Sequence, residues 1–258
     1  MPRVSLVLVF VLASLVGVVL TTFKIHRTGL HKRYRIFFAY LLFRIPYTTA
    51  GLVLDVKSDF YFYFWVLTIP ITWAFYVLVV RELCGLVLER YSGLKTLGRW
   101  FMYLATVVSL TLSVLSLLPR LTPAMPQRSI KLYYIYAIDR GVTLSLALFL
   151  VMMVFLVSRY PVRLSRNVVV HVVLYTTFFL SSSMTMLLKS VFGLKVYTAV
   201  DTALMALASA CGFAWFGLLS EKGEESTVSL PHMDSNHEQH LLSQLDSLNQ
   251  TLLKAAKG

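Results

Sequence analysis

The chain has 258 residues, of which 57% are hydrophobic and only 14% are charged, and its formal net charge is +12. Soluble domains carry about 25% charged residues, so this composition excludes an ordinary water-soluble domain and indicates that much of the surface faces lipid. The cations lie mainly in short loops beside apolar runs and not on one amphipathic face, so nucleic acid is not an expected partner.

Seven apolar runs are each long enough, at roughly 20 residues, to cross a bilayer as a helix. They cover about residues 4–23, 36–54, 60–80, 100–118, 132–157, 167–188 and 196–219. The first run lacks a basic leader and a clear cleavage site, so we interpret it as a span and not as a signal peptide. The sequence therefore predicts an all-α polytopic membrane protein, with a seven-helix transmembrane bundle in residues 1–220.

The stretch from Lys24 to Arg35 sets the predicted orientation. It holds five lysines and arginines and no acid, directly between the first two spans. Cations this close to spans stay on the cytoplasmic side, where the inner leaflet is anionic. The three predicted inner loops carry twelve lysines and arginines, against seven for the N-terminus and the outer loops. We therefore expect a multi-pass protein in the lipid bilayer, with its N-terminus outside and its C-terminus in the cytoplasm.

Four charged residues fall inside predicted spans: Arg44, Asp139, Arg140 and Asp201. An ionisable group within a membrane is a functional-site candidate, and it needs a partner. Arg44 is predicted near mid-depth, and we expect it to pair with Asp139 or Asp201. The set indicates either an outward-facing polar cavity for a small ligand or ion, or a structural ion pair that joins helices two, five and seven.

Hydroxyl side chains recur along the sixth predicted span. Thr177, Ser181 and Thr185 are four residues apart and therefore share one helix face. Thr177 and Ser181 are included in the candidate ligand or ion site, although hydroxyls in spans also bond within and across helices. In the fourth span, Thr106, Ser109, Ser113 and Ser116 lie on one side and are expected to serve helix packing.

Small side chains recur along the seventh predicted span. They are Ala203, Ala206, Ala210, Ala214 and Gly217. Small residues at such spacings let two helix backbones approach closely. We therefore expect this face to pack against a neighbouring helix.

Beyond the bundle, residues 221–236 are polar and are predicted to form a linker, and residues 237–256 a cytoplasmic amphipathic helix. Leucines repeat there at steps of four, three and four, at Leu241, Leu245, Leu248 and Leu252. This stripe is typical of a short coiled-coil seam or of a helix that docks on a protein surface. It leaves open docking on its own bundle, binding to a cytoplasmic protein, self-association into a homo-oligomer, and disorder.

No pattern in the sequence carries recognisable catalytic chemistry. His-Glu-x-x-His, Gly-x-Ser-x-Gly and a phosphate-binding glycine loop are all absent. His171 is the only histidine in a predicted span, whereas a bis-histidine haem site needs two. We therefore predict no cofactor, no metal site and no catalytic residues, and an enzyme is the less favoured interpretation.

Glu89-Arg90-Tyr91 closes the third predicted helix on the cytoplasmic side. With seven spans, it resembles the acidic-Arg-Tyr signature of rhodopsin-like G-protein-coupled receptors. The match covers three residues. The family's Asn-Pro-x-x-Tyr and Cys-Trp-x-Pro motifs are absent, and no cysteine opens the third helix. The sequence therefore identifies no family.

Two functions fit these features. The first is a membrane-embedded sensory or scaffold protein, whose bundle holds a ligand or a partner and whose tail helix binds protein. The alternative is a small-solute or ion transporter or channel that uses Arg44, Asp139 and Asp201. The sequence favours the first, because transporters usually show more helices broken by glycine or proline near mid-membrane.

Overall fold

The computed structural model describes residues 2–55, 58–89, 92–115, 127–159, 164–192, 194–225 and 227–228, together with Ser243, Ser247 and Gln250. The helices are α1 (Pro2–Arg27), α2 (Arg35–Val53), α3 (Asp59–Val87), α4 (Ser92–Leu115), α5 (Gln127–Arg159), α6 (Arg166–Phe192), α7 (Leu194–Leu218) and α8 (Lys222–Glu225). A 3₁₀ turn covers Leu30–Lys32, and two short strands are β1 (Leu164–Ser165) and β2 (Thr227–Val228). The predicted all-α class is confirmed.

Within the described residues, six helices are long and apolar enough to cross a membrane. Their apolar segments are Val7–Arg27, Arg35–Val53, Asp59–Val87, Tyr134–Phe155, Arg166–Lys189 and Thr198–Leu218. Large apolar side chains on them stay exposed, among them Phe60, Leu67 and Phe155, as lipid-facing surfaces require. The chain is therefore a multi-pass helical membrane protein. The fourth predicted span falls on α4, which is not among the six.

The chain divides into two compact units. The first contains Met1–Val79 and Thr177–Glu221, and the second contains Val80–Thr176 and Lys222–Gly258. The division between the units falls inside α3 and inside α6, so one part of each of these helices belongs to each unit.

In the first unit, α1 and α7 approach each other at two glycines. A Cβ atom at Gly17 would lie 3.4 Å from the carbonyl carbon of Gly212. Next to this contact, the Thr21 hydroxyl donates to the Gly212 carbonyl at 3.0 Å. With no side chain at either glycine, the two backbones come close enough for direct hydrogen bonds between the helices.

Two further contacts show that α1 and α7 run in the same direction. Before the glycines, the Ser209 hydroxyl donates to the Phe10 carbonyl at 2.9 Å. After them, the Lys24 ammonium group donates to the Phe216 carbonyl and lies over the Phe216 ring. Because residue numbers rise together along both helices, α1 and α7 are parallel.

The α7 face that meets α1 differs from the face predicted from small residues. The contact is made by Ser209 and Gly212, whereas a Cβ atom at Gly217 would meet nothing within 4 Å and Ala210 is exposed. The predicted face was chosen from small residues on α7 without regard to the residues of the opposite helix. A close approach also needs a small residue on the opposite helix, and Gly17 supplies it.

In the second unit, α4 packs antiparallel along α5. The Ser109 hydroxyl donates to the Gly141 carbonyl at 2.9 Å, and the Ser145 hydroxyl donates to the Thr106 hydroxyl at 3.4 Å. Residue numbers rise along α4 as they fall along α5, so the helices are antiparallel. The predicted packing role is confirmed for Thr106 and Ser109. The side chain of Ser113 and the whole of Ser116 lie outside what the structure describes.

A short clasp ties the segment after α7 to the α5–α6 loop. In β1 and β2, Leu164 pairs with Val228 and Ser165 with Thr227 in antiparallel register. The buried Asn167 side chain also donates from Nδ2 to Oε1 of Glu224 at 3.0 Å. Helix α6 therefore begins directly after β1, and the segment that follows α7 returns to pair with β1.

Residues 222–225 and 227–228 belong to the segment that we predicted as a linker, and they form α8 and β2. Glu221 is a turn residue before α8, and the remaining residues of that segment lie outside the described residues. So do the four leucines of the predicted tail stripe, Leu241, Leu245, Leu248 and Leu252.

Candidate functional site

Arg44 lies midway along α2, between Arg35 and Val53. At 1.5 Å per residue, it is about 13 Å from either end of the helix. Its side chain is half-buried. A cation at this position, in a helix that is otherwise apolar enough to span a bilayer, needs groups that stabilise its charge.

Three tyrosine side chains lie near Arg44. Its guanidinium carbon lies 5.3 Å from the centroid of the Tyr47 ring, which is within the range of a cation–π interaction. Tyr40, Tyr47 and Tyr76 are its electrostatic neighbours. Among the residues that the structure describes, no carboxylate forms an ion pair with Arg44.

The tyrosines around Arg44 are held in place by other rings from α3 and α6. Tyr76 packs against Tyr40 with ring centroids 5.8 Å apart, and against Phe179 at 5.2 Å. Phe75 lies 5.2 Å from Phe43 in a stacked arrangement. Each aromatic pair of this kind contributes about 0.5–1.5 kcal/mol beyond the area that it buries. The rings near Arg44 are therefore packed against one another across α2, α3 and α6.

We define the Arg44 cluster as these residues and the rings in contact with them. Its members are Tyr40, Phe43, Arg44, Tyr47, Phe64, Phe75, Tyr76, Phe178 and Phe179. All of them belong to the first unit.

The sequence indicates Arg44 as a candidate, and the predicted site does not include its aromatic neighbours. A signal was present, because Tyr40 and Tyr47 lie four residues before and three residues after Arg44. Residues at these spacings share one face of a helix. Tyr76 and Phe179 lie on other helices, so no local spacing indicates them.

A buried hydroxyl lies one helical turn from the cluster. Ser183 follows Phe179 by four residues on α6, and it is therefore on the same helix face. It is only 2% exposed, and its Oγ has no hydrogen-bond partner within the described part of the chain. Buried hydroxyls normally have a partner, so Ser183 has hydrogen-bonding capacity to offer.

Asp201 forms an ion pair with Lys189. Lys189 lies in the last turn of α6, and Asp201 lies early in α7, so the pair joins the two helices close to their connection. The side chains are 11% and 31% exposed respectively. Arg44 thus contacts Tyr47, whereas Asp201 contacts Lys189. A functional site that combines Arg44 with Asp201 stays a prediction.

Asp139 and Arg140 lie next to each other in α5, and both side chains are half-buried. They belong to the second unit, whereas Arg44 and Asp201 belong to the first. The pairing of Arg44 with Asp139 therefore stays a prediction.

Burial varies along the predicted hydroxyl face of α6. Thr177 is exposed, Ser181 is half-buried and Thr185 is buried. Their role in a ligand or ion site stays a prediction. Of the receptor-like tripeptide, Arg90 and Tyr91 lie outside the described residues.

No protein-family model, curated protein or solved structure matches the chain. Its helices and composition define the class of a multi-pass helical membrane protein. Within that class, the geometry around Arg44 gives the most specific indication of function.

Proposed function

We propose that the chain is a seven-helix membrane protein of the sensory or scaffold type, and that Arg44 binds the anionic group of a small amphiphilic ligand. The observation that carries this proposal is a cation at the centre of α2 that contacts tyrosines, with no carboxylate paired to it among the described residues. A charge within a membrane is costly and is usually retained for a function.

The chemistry of the Arg44 cluster fits a carboxylate or a phosphate attached to an apolar body. A guanidinium group presents a planar fork of N–H donors that matches both anions, and the contact with the face of Tyr47 does not use these donors. The surrounding rings offer apolar surface for the rest of the ligand. The hydroxyl of Ser183 is a candidate for a further hydrogen bond.

The parallel contact between α1 and α7 supports seven crossings. Successive spans alternate in direction, so two parallel spans must be separated by an odd number of crossings. Five helices, α2 to α6, lie between α1 and α7. If α4 did not cross, α7 would run antiparallel to α1, against the observed order of contacts. The packing of α4 along α5 fits the same arrangement.

Together with the basic loops, seven crossings support an orientation with the N-terminus outside and the C-terminus in the cytoplasm. Cysteine labelling tests this topology, because the native Cys84 and Cys211 are buried and only 1% and 3% exposed. In intact cells, an impermeant maleimide is expected to label Asp55→Cys but not Glu225→Cys until the membrane is opened. The reverse pattern would overturn the orientation, and labelling of both sites in intact cells would overturn the seven crossings.

Binding to Arg44 is tested with the purified full-length protein in a neutral detergent. We expect long-chain carboxylates or alkyl phosphates to raise the melting temperature, and alcohols of the same chain length to have no such effect. Loss of hydrogen bonds to a charged group costs about 1.5–3 kcal/mol, so Arg44→Gln is expected to weaken binding by about 10- to 150-fold. Arg44→Lys keeps the charge but loses the fork, and it is expected to weaken binding less.

The matched control is Arg81→Gln, which removes an exposed arginine from another part of the chain. It is expected to bind the same ligands as the original protein. Equal binding of the anions and the alcohols, or unchanged binding by a folded Arg44→Gln variant, would exclude Arg44 as the anion site.

A further inference from the structure

The loop between α1 and α2 contains buried side chains and backbone hydrogen bonds, although it is rich in charge. Ile25, Leu30 and Tyr34 anchor it, and they are only 1%, 6% and 1% exposed. Gly29 adopts a left-handed conformation with φ 70°, which favours glycine, and its carbonyl accepts a hydrogen bond from the Lys32 amide at 3.1 Å. We call residues 24–35 the basic loop.

The basic loop presents a cluster of cations. Four of its five lysines and arginines are exposed: Arg27, Lys32, Arg33 and Arg35. The fifth, Lys24, donates to the Phe216 carbonyl and contributes to the contact between α1 and α7. The loop contains no acidic residue, so no carboxylate of its own neutralises the exposed charges.

Two histidines lie within the same loop. The ring centroids of His26 and His31 are 5.2 Å apart, and both rings also contact Phe38, at 6.1 and 5.7 Å. The Nδ1 atom of His31 is buried and has no hydrogen-bond partner among the described residues. The loop therefore combines exposed cations with a half-buried imidazole ring, that of His31.

We propose that the basic loop binds the headgroup of an anionic lipid that carries two negative charges. The loop joins the ends of two helices that are suited to cross a membrane, Val7–Arg27 and Arg35–Val53. It therefore lies at the height of the lipid phosphates, which accept hydrogen bonds from arginine, lysine and histidine. A divalent metal ion is a poor alternative, because the cations repel it and no group of three metal-ligating side chains occurs in the described part of the chain.

The test uses the purified full-length protein in a neutral detergent, with bound lipid counted by native mass spectrometry. Cardiolipin has two phosphates, phosphatidylglycerol has one, and phosphatidylcholine is neutral overall. We expect cardiolipin to bind most tightly and phosphatidylcholine not to bind. Inorganic phosphate should not displace cardiolipin. Displacement by millimolar phosphate would show a site for free anions and overturn the assignment to a lipid.

Two matched double variants locate the binding site. A cation near the membrane surface contributes about 1 kcal/mol to the binding of anionic lipid, which corresponds to about fivefold in affinity. The variant Arg27→Gln with Lys32→Gln is therefore expected to weaken cardiolipin binding by about 25-fold. The control variant Arg166→Gln with Lys222→Gln also removes two exposed cations, from the region of the clasp. It should change the affinity by less than about threefold, and equal losses in the two variants would show diffuse attraction and overturn the proposal.

A third variant separates binding from folding. His31→Phe keeps a ring beside His26 and Phe38 but removes both nitrogens. We expect the melting temperature without lipid to stay unchanged and cardiolipin to bind about fivefold more weakly, as for the loss of one hydrogen bond. Unchanged cardiolipin binding would remove His31 from the site.

Discussion

Replacing Gly212 with leucine is expected to destabilise the protein by about 2–4 kcal/mol, because the larger side chain forces α7 away from α1. A Cβ atom at Gly212 would lie 3.6 Å from the Gly17 Cα and 3.7 Å from its carbonyl carbon. These are ordinary contact distances, so Gly212→Ala should be tolerated. The three additional carbon atoms of leucine have no such space, and separating the helices also breaks the hydrogen bond from Thr21 to Gly212.

Gly217→Leu is the matched control, since it makes the same change on the same helix. Gly217 is exposed, and a Cβ atom there would meet nothing within 4 Å. Thermal unfolding in detergent should therefore show a large loss of stability for Gly212→Leu and a small one for Gly217→Leu. If both variants lose the same stability, the loss reflects leucine in this helix in general and not the contact with α1.

Hydropathy predicts which parts of this chain enter the membrane but not which helices pack together. A run of about 20 apolar residues requires a spanning helix, because the backbone cannot hydrogen-bond to lipid. The pairing of α1 with α7 depends on Gly17, which is a single glycine inside an apolar run. Its importance becomes apparent only when Gly212, almost 200 residues later, is placed opposite it.

Arg44 and Asp201, the two candidate-site residues with charged side chains in the first unit, show the same limit at a smaller scale. Arg44 was identified because a charge inside an apolar run is a strong signal. Its tyrosine neighbours were not identified, because aromatic residues are common in membrane helices and carry no charge that would indicate a partner. Lys189 was predicted in an outer loop, but α6 continues to Phe192 and turns Lys189 towards Asp201. Ion pairs near the ends of membrane helices are therefore the hardest to predict from the sequence.

The ion pair between α6 and α7 leads to the second large effect. Asp201→Asn is expected to cost about 2–3 kcal/mol, because it removes the carboxylate that neutralises the Lys189 ammonium group, which is only 11% exposed. The 31% exposure of Asp201 keeps the cost below that of a fully buried pair. The double variant Lys189→Met with Asp201→Leu removes both charges and should recover most of the stability. Glu225→Gln neutralises an exposed acid and should change stability by less than about 0.5 kcal/mol.

The same variants distinguish a structural pair from a transport site. If the pair is structural, Asp201→Asn should be destabilised in thermal unfolding, and the apolar double variant should recover both stability and ligand binding at Arg44. If Asp201 serves transport, protein in liposomes should move a solute or an ion, and the apolar double variant should lose that flux despite its recovered stability. A folded Asp201→Asn variant with unchanged stability would contradict the structural role, because the Lys189 ammonium group would then not need the carboxylate that faces it.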